Sequence, residues 1–174
     1  MNTTKLFIIS ISTAILSATC TMRAEARLYH AVEQSLAKRV IKQGINPAKL
    51  KLGSRFGKGF YLSRQPSTAL AEKGSRSAVI RFRESSMIKN KAINMKKPNR
   101  ELMQKFLGKN YDLRGAYKNN VIGPKAGRKI GSIAGRSGRP IQYRSVKNGK
   151  TNVAIPVKAL NQHPRIVSPE RIVK

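Results

Sequence analysis

A few side chains in this sequence have the type and the setting to do chemistry. Glu72 closes the run YLSRQPSTALAE (61–72). A carboxylate held beside a sugar carbon stabilises the oxocarbenium-like cation that forms when a glycosidic bond breaks. Tyr61 opens the same run and offers a ring that can stack on a flat heterocycle. Ser145, within QYRSVKNGKTNVAIP (142–156), supplies a hydroxyl that donates and accepts, as recognition of a carboxamide requires. Arg55 stands in the glycine-flanked stretch GSRFGKGF (53–60), where backbone can approach a ligand closely and a guanidinium can fork onto a pyrophosphate. His30, in LYHAV (28–32), can hydrogen-bond a sugar hydroxyl. Composition alone favours duller roles: a helix-surface acid, a core tyrosine, a strand hydroxyl, a buried histidine with its partner, and one cation among many.

Other chemistries lack their residues. Two histidines and a single cysteine, Cys20, make no metal cluster of finger or ribbon spacing. No Ser or Cys occupies a nucleophile elbow, GRKIGS (127–132) lacks the phosphate-loop spacing, and GSIAGRSG (131–138) lacks the strand that a dinucleotide fingerprint follows. A nuclease would want a general base, but His163 adjoins Pro164 in a turn and His30 has no nearby acidic partner in sequence.

The elements expected to position these residues follow from periodicity. Residues 27–32 alternate as a strand with Leu28 and His30 on one face. A helix over 33–43 ends at Gly44, a strand covers 60–63, and Pro66 starts a helix to Lys73 that carries Glu72. Further strands are expected at 78–83 and 87–95, and Asn99 caps a helix over 100–107. Residues 108–140 hold seven glycines among many cations and read as a basic, mobile, target-facing loop. Strands at 141–146 and 152–157, a turn at 158–161 and a strand around 165–167 complete the chain. Interspersed strands and helices without regular βαβ alternation predict an α+β domain.

Thirty-six Lys and Arg against seven Asp and Glu give a net charge of +29, which draws polyanions: nucleic acid, acidic protein or an anionic surface. At the front, Lys5, an apolar run to Ile15 and the A-x-A pattern at 24–26 predict a cleavable signal peptide, 1–26, and one mature domain, 27–174. That run is short and broken by Ser10, Ser12 and Thr13, so no stable membrane span is expected. Cys20 would leave with the signal, and the mature chain would act as a secreted or periplasmic protein without disulfides.

The 61–72 and 142–156 segments together resemble the tyrosine-strand, glutamate-helix and serine-strand segments of RES-domain proteins, within the ADP-ribosyltransferase-like fold. The Arg, Glu and Ser that name that family fall on Arg55, Glu72 and Ser145. LYHAV and GSRFGKGFY also look like the His and Tyr segments of diphtheria-toxin-like and poly-ADP-ribose-polymerase-like transferases. Where the polymerase-like group carries its glutamate near the last strands, this chain has Thr151 and Asn152, which shifts the acid's role to Glu72. The resemblance implies split small sheets with flanking helices and NAD as substrate. It implies Glu72 and Tyr61 as catalytic residues, with His30, Arg55, Tyr61 and Ser145 holding NAD. It further implies a toxin or effector that hydrolyses NAD or transfers ADP-ribose to a nucleic acid or acidic protein. The charge leaves a different reading open, a non-enzymatic binder of nucleic acid or the cell envelope.

Overall fold

A computed structural model describes residues 26–50 and 55–173. The expected signal peptide therefore lies outside the described residues, apart from Ala26. Among the described residues no helix is long and apolar enough to cross a membrane.

The chain is α+β. Among the described residues nine strands make a seven-stranded mixed sheet and a two-stranded ribbon. Strand β1 (Arg27–Val32) leads into α1 (Gln34–Gln43), which ends where the Gly44 N–H bonds Val40 O. Then come β2 (Gly59–Ser63), α2 (Pro66–Lys73), whose first turn accepts Pro66 because that N–H would have no partner, and β3 (Ala78–Glu84). Next are α3 (Ser86–Lys91), β4 (Ile93–Met95) and α4 (Arg100–Leu107), where Asn99 Oδ1 accepts from Leu102 N at 2.8 Å as expected of a cap. The ribbon of β5 (Tyr117–Lys118) and β6 (Val121–Ile122) precedes α5 (Pro124–Ser137). Strands β7 (Ile141–Arg144) and β8 (Thr151–Pro156), helix α6 (Val157–Gln162) and β9 (Val167–Ile172) finish the chain.

The sheet order is β4-β7-β8-β2-β1-β3-β9, with β4 and β7 parallel and every other pair antiparallel. Its two halves are unequally joined. β1 pairs with β3 along its whole length, Arg27↔Arg83 to Val32↔Ala78, yet meets β2 only at Tyr29↔Ser63. In place of the expected split small sheets the strands form one seven-stranded sheet, in which β1 and β2 share a single registered pair. Strand alternation sorts the side chains. Phe60, Leu62, Val153 and Ile155 face one core with Leu28, Ile80 and Phe82, while Tyr61, Ile141, Tyr143 and Ala154 face a second core with Phe56, Met103 and Ile130.

Four expectations about the elements are corrected. Residues 87–95 are not one strand: adjacent Met87 and Ile88 suit a helical face, and only Ile93 and Met95 keep the alternation that a strand needs. Residues 158–161 are not a bare turn but part of α6, whose Ala159 and Leu160 are buried, and the last strand runs to Ile172.

The largest correction concerns 108–140, read as a mobile loop. Residues 124–137 form the fourteen-residue helix α5, with Ala126, Gly127, Ile130, Gly131 and Ala134 buried. These fall at i, i+4 and i+8 with their neighbours, a single apolar stripe. Gly127 and Gly131 are close-packing positions. A Cβ at Gly131 would lie 2.0 Å from the Phe56 carbonyl oxygen, and one at Gly127 would lie 2.7 Å from Arg55 Cγ.

Candidate active site

Helix α2 carries Thr68 and Glu72, one turn apart and therefore on one face, toward the turn that joins β7 to β8. Asn148 Nδ2 donates to Thr68 Oγ1 at 2.8 Å. One turn on, Ser145 Oγ donates to Glu72 Oε1, and Asn152 Nδ2 donates to the same oxygen at 3.3 Å. Ser145 is 1% exposed and Asn152 3%. Ser145 Oγ also accepts from Lys147 N at 3.1 Å, which fixes its rotamer. Glu72 is exposed as a residue, yet its Oε1 is held by two hydrogen bonds to a charged acceptor, stronger than neutral ones. Among the described residues no hydrogen bond reaches Oε2.

Aromatic rings adjoin this carboxylate. Tyr143 sits on β7 two residues before Ser145, its ring edge-on to Phe56 with centroids 4.7 Å apart. Tyr61 on β2 packs into the same cluster, and its hydroxyl donates to Gly57 O at 2.8 Å. Burial pushes the Tyr143 phenol well above its ordinary value. The Asn152 side chain opposes that shift, Tyr61 and Glu72 add to it, and Arg55 opposes it. Tyr143 thus senses Arg55, Tyr61, Glu72 and Asn152 together. Arg55 packs against Gly127 of α5, and its Nη1 donates to Ile122 O of β6 at 2.6 Å.

His30 stands apart from the carboxylate, in the opening between β1 and β2. Its Nδ1 lies 2.7 Å from the Tyr61 carbonyl oxygen, which can only accept, so Nδ1 carries the proton. The ring packs on Phe60 at 4.4 Å between centroids. Burial lowers its pKa to about 4, the Tyr61 carbonyl opposes this, and Lys73 lowers it further. The imidazole is therefore neutral at pH 7, with Nε2 an acceptor.

Of the residues singled out from sequence, Glu72 and Ser145 touch, and Tyr61 and Arg55 lie around the same aromatic cluster. His30 reaches the cluster only through the Tyr61 backbone. Sequence reasoning passed over two members, Tyr143 and Asn152. Tyr143 looks like any strand aromatic, and Asn152 was noted only for not being a glutamate. An asparagine in a six-residue strand of otherwise mostly apolar residues is itself a signal, since a buried amide needs partners. Here Asn152 Oδ1 is buried with no hydrogen-bond partner among the described residues.

Two clefts lie away from this cluster. One of about 440 Å³ is lined by cations, Arg64, Lys96, Arg144 and Lys150 among them. The other, of about 480 Å³, lies between Ser85 and Ile166. Among the described residues no group of three His, Cys, Asp or Glu side chains could hold a metal ion. Comparison with known proteins finds no matching family model, no matching curated protein and no matching solved structure.

Proposed function

We propose that this chain cleaves the nicotinamide–ribose bond of NAD outside the cell that makes it, as a glycohydrolase or an ADP-ribosyltransferase, with Glu72 as its acid residue. The observation that carries the reading is the Glu72 carboxylate, fixed through Oε1 by Ser145 and Asn152 beside Tyr61 and Tyr143, with Oε2 left over. The sequence resemblance supplies the substrate.

In this mechanism the C1′–N bond breaks and its electron pair leaves with nicotinamide, whose ring nitrogen becomes neutral. Positive charge develops on the ribose C1′ and ring oxygen, and a carboxylate already held in place stabilises it without reorganising. Water or an acceptor hydroxyl then adds to C1′ and loses its proton. Tyr61 stacks on the nicotinamide ring, and Asn152 Oδ1 is an unused acceptor suited to a carboxamide or ribose donor. His30 Nε2 accepts from a ribose hydroxyl. Arg55 supplies positive charge for the pyrophosphate, given a rotamer change away from Ile122.

Incubating the purified protein with NAD and assaying free nicotinamide tests this. Release of nicotinamide is the expected result. None with any nucleic-acid or protein acceptor would leave the cationic binder, which the net charge of +29 favours, as the better account.

A further inference from the structure

The cleft lined by cations faces away from Glu72. On β7, Tyr143 belongs to the core beside Tyr61, so alternation turns Gln142 and Arg144 to the other face; Arg64 follows Phe60 and Leu62, and Thr151 precedes Val153, on that same face. Register sets the cations in a row. Met95 on β4 pairs with Tyr143, which brings Lys96 level with Arg144. Arg144 pairs with Thr151, beside Lys150, and Arg64 N donates to Thr151 O at 3.0 Å. Three strand spacings of about 4.8 Å thus separate Lys96 from Arg64, a row roughly 14 Å long.

These charges differ in their commitments. Arg64 forks onto the buried Glu84 at 2.5 and 2.6 Å, which neutralises it and anchors the end of the row. Arg144 donates to the Gly149 carbonyl, which leaves its charge uncompensated. Among the described residues no carboxylate pairs with Lys96, Arg144 or Lys150, and no acidic or apolar side chain lines the cleft.

We infer that this cleft is a binding site for the phosphate backbone of a nucleic-acid strand, separate from the Glu72 cluster and on the opposite face of the sheet. The uncompensated charges of Lys96, Arg144 and Lys150, carried by neighbouring strands and the turn between them, suit successive phosphates of one strand. A lone phosphate would meet only part of the row. A membrane surface would be met better by basic residues around apolar ones that could enter it, and the lining has none. Gln142 and Thr151 add polar atoms at the floor.

Fluorescence anisotropy with a labelled single-stranded DNA of about 12 nucleotides, titrated at several salt concentrations, tests the site independently of any NAD chemistry. The logarithm of the binding constant falls with the logarithm of salt by about 0.7 per phosphate contact on a single strand. The double variant Lys96→Gln/Lys150→Gln should therefore lose about 1.4 from that slope. Lys96→Arg/Lys150→Arg should keep it. Lys38→Gln/Lys42→Gln, which removes the same charge from the exposed face of α1, should also keep it. Equal loss from the α1 pair, no binding of the oligonucleotide, or retention on phosphatidylserine vesicles in its place would each overturn the assignment.

Discussion

Ser145 and Glu72, 73 residues apart in the chain, are joined by a hydrogen bond from the serine hydroxyl to the carboxylate. The contact ties α2 to the β7–β8 turn and at the same time fixes the one acid that the proposed chemistry needs. Its two roles separate by measurement. Ser145→Ala removes a donor to a charge and leaves Lys147 N without its acceptor, which should cost about 1–3 kcal/mol of stability in urea unfolding. A double-mutant cycle with Glu72→Ala, which removes the acceptor, should return a coupling of at least about 0.5 kcal/mol.

Glu72→Gln keeps size and most hydrogen bonding but removes the charge. If Glu72 stabilises developing charge on the ribose, NAD cleavage should slow by on the order of 100-fold or more, with little change in melting temperature. Glu33→Gln and Glu101→Gln, on exposed positions elsewhere, should leave the rate nearly unchanged. A folded Glu72→Gln protein with the original rate would remove Glu72 from the mechanism.

Tyr61 separates stacking from hydroxyl chemistry. Tyr61→Ala should raise KM for NAD more than it lowers kcat, because a stacking ring binds ground and transition states alike. Tyr61→Phe keeps the ring and loses the bond to Gly57 O, so KM should stay close to the original while stability falls by about 1 kcal/mol. Steady-state kinetics on the two variants checks both statements.

The resemblance, not any local signal, singled out Tyr61, Glu72 and Ser145; what local signals made legible was their setting, through alternation into β2 and Pro66 at the start of α2. The sequence hid Asn152 and Tyr143, since what makes them part of the site is pairing between β7 and β8, Tyr143↔Asn152, and not their neighbours in sequence. It also hid α5. Glycine reads as a helix breaker at a cost of ~1 kcal/mol, and only the tertiary contact with Arg55 and Phe56 explains why Gly127 and Gly131 stand there. The paired Asn119 and Asn120, with φ of 49° and 62°, form the tight turn of the β5–β6 ribbon inside what looked like loop.

The glycines of α5 give an opposed pair of outcomes. Gly131→Ala drives a methyl into the Phe56 carbonyl and should destabilise the protein by at least about 1–3 kcal/mol, displacing the segment that carries Arg55. Gly135 meets nothing within 4 Å at the Cβ position, so Gly135→Ala should stabilise by up to ~1 kcal/mol through helix propensity alone. Thermal melts of the two variants should therefore move in opposite directions. Deleting 125–136 should abolish folding, as expected of a core helix and not of a mobile loop.

His30 sets a pH dependence of stability with a definite sign. Its pKa is about 4 in the folded protein against an ordinary 6.5, so between those values the unfolded chain binds a proton that the folded chain refuses. Stability is therefore full above about pH 6.5 and declines as pH falls toward 4, by roughly 1.4 kcal/mol per pH unit at most. The cause is burial, aided by the charge of Lys73 and opposed by the Tyr61 carbonyl. His30→Asn places an amide N–H near the position of Nδ1 and cannot titrate. Urea unfolding at pH 7 and pH 5 should show a drop for the original protein and a much smaller one for His30→Asn. Equal drops would assign the acid sensitivity elsewhere and give His30 the same pKa folded and unfolded, so that the buried, neutral imidazole would be overturned at pH 5.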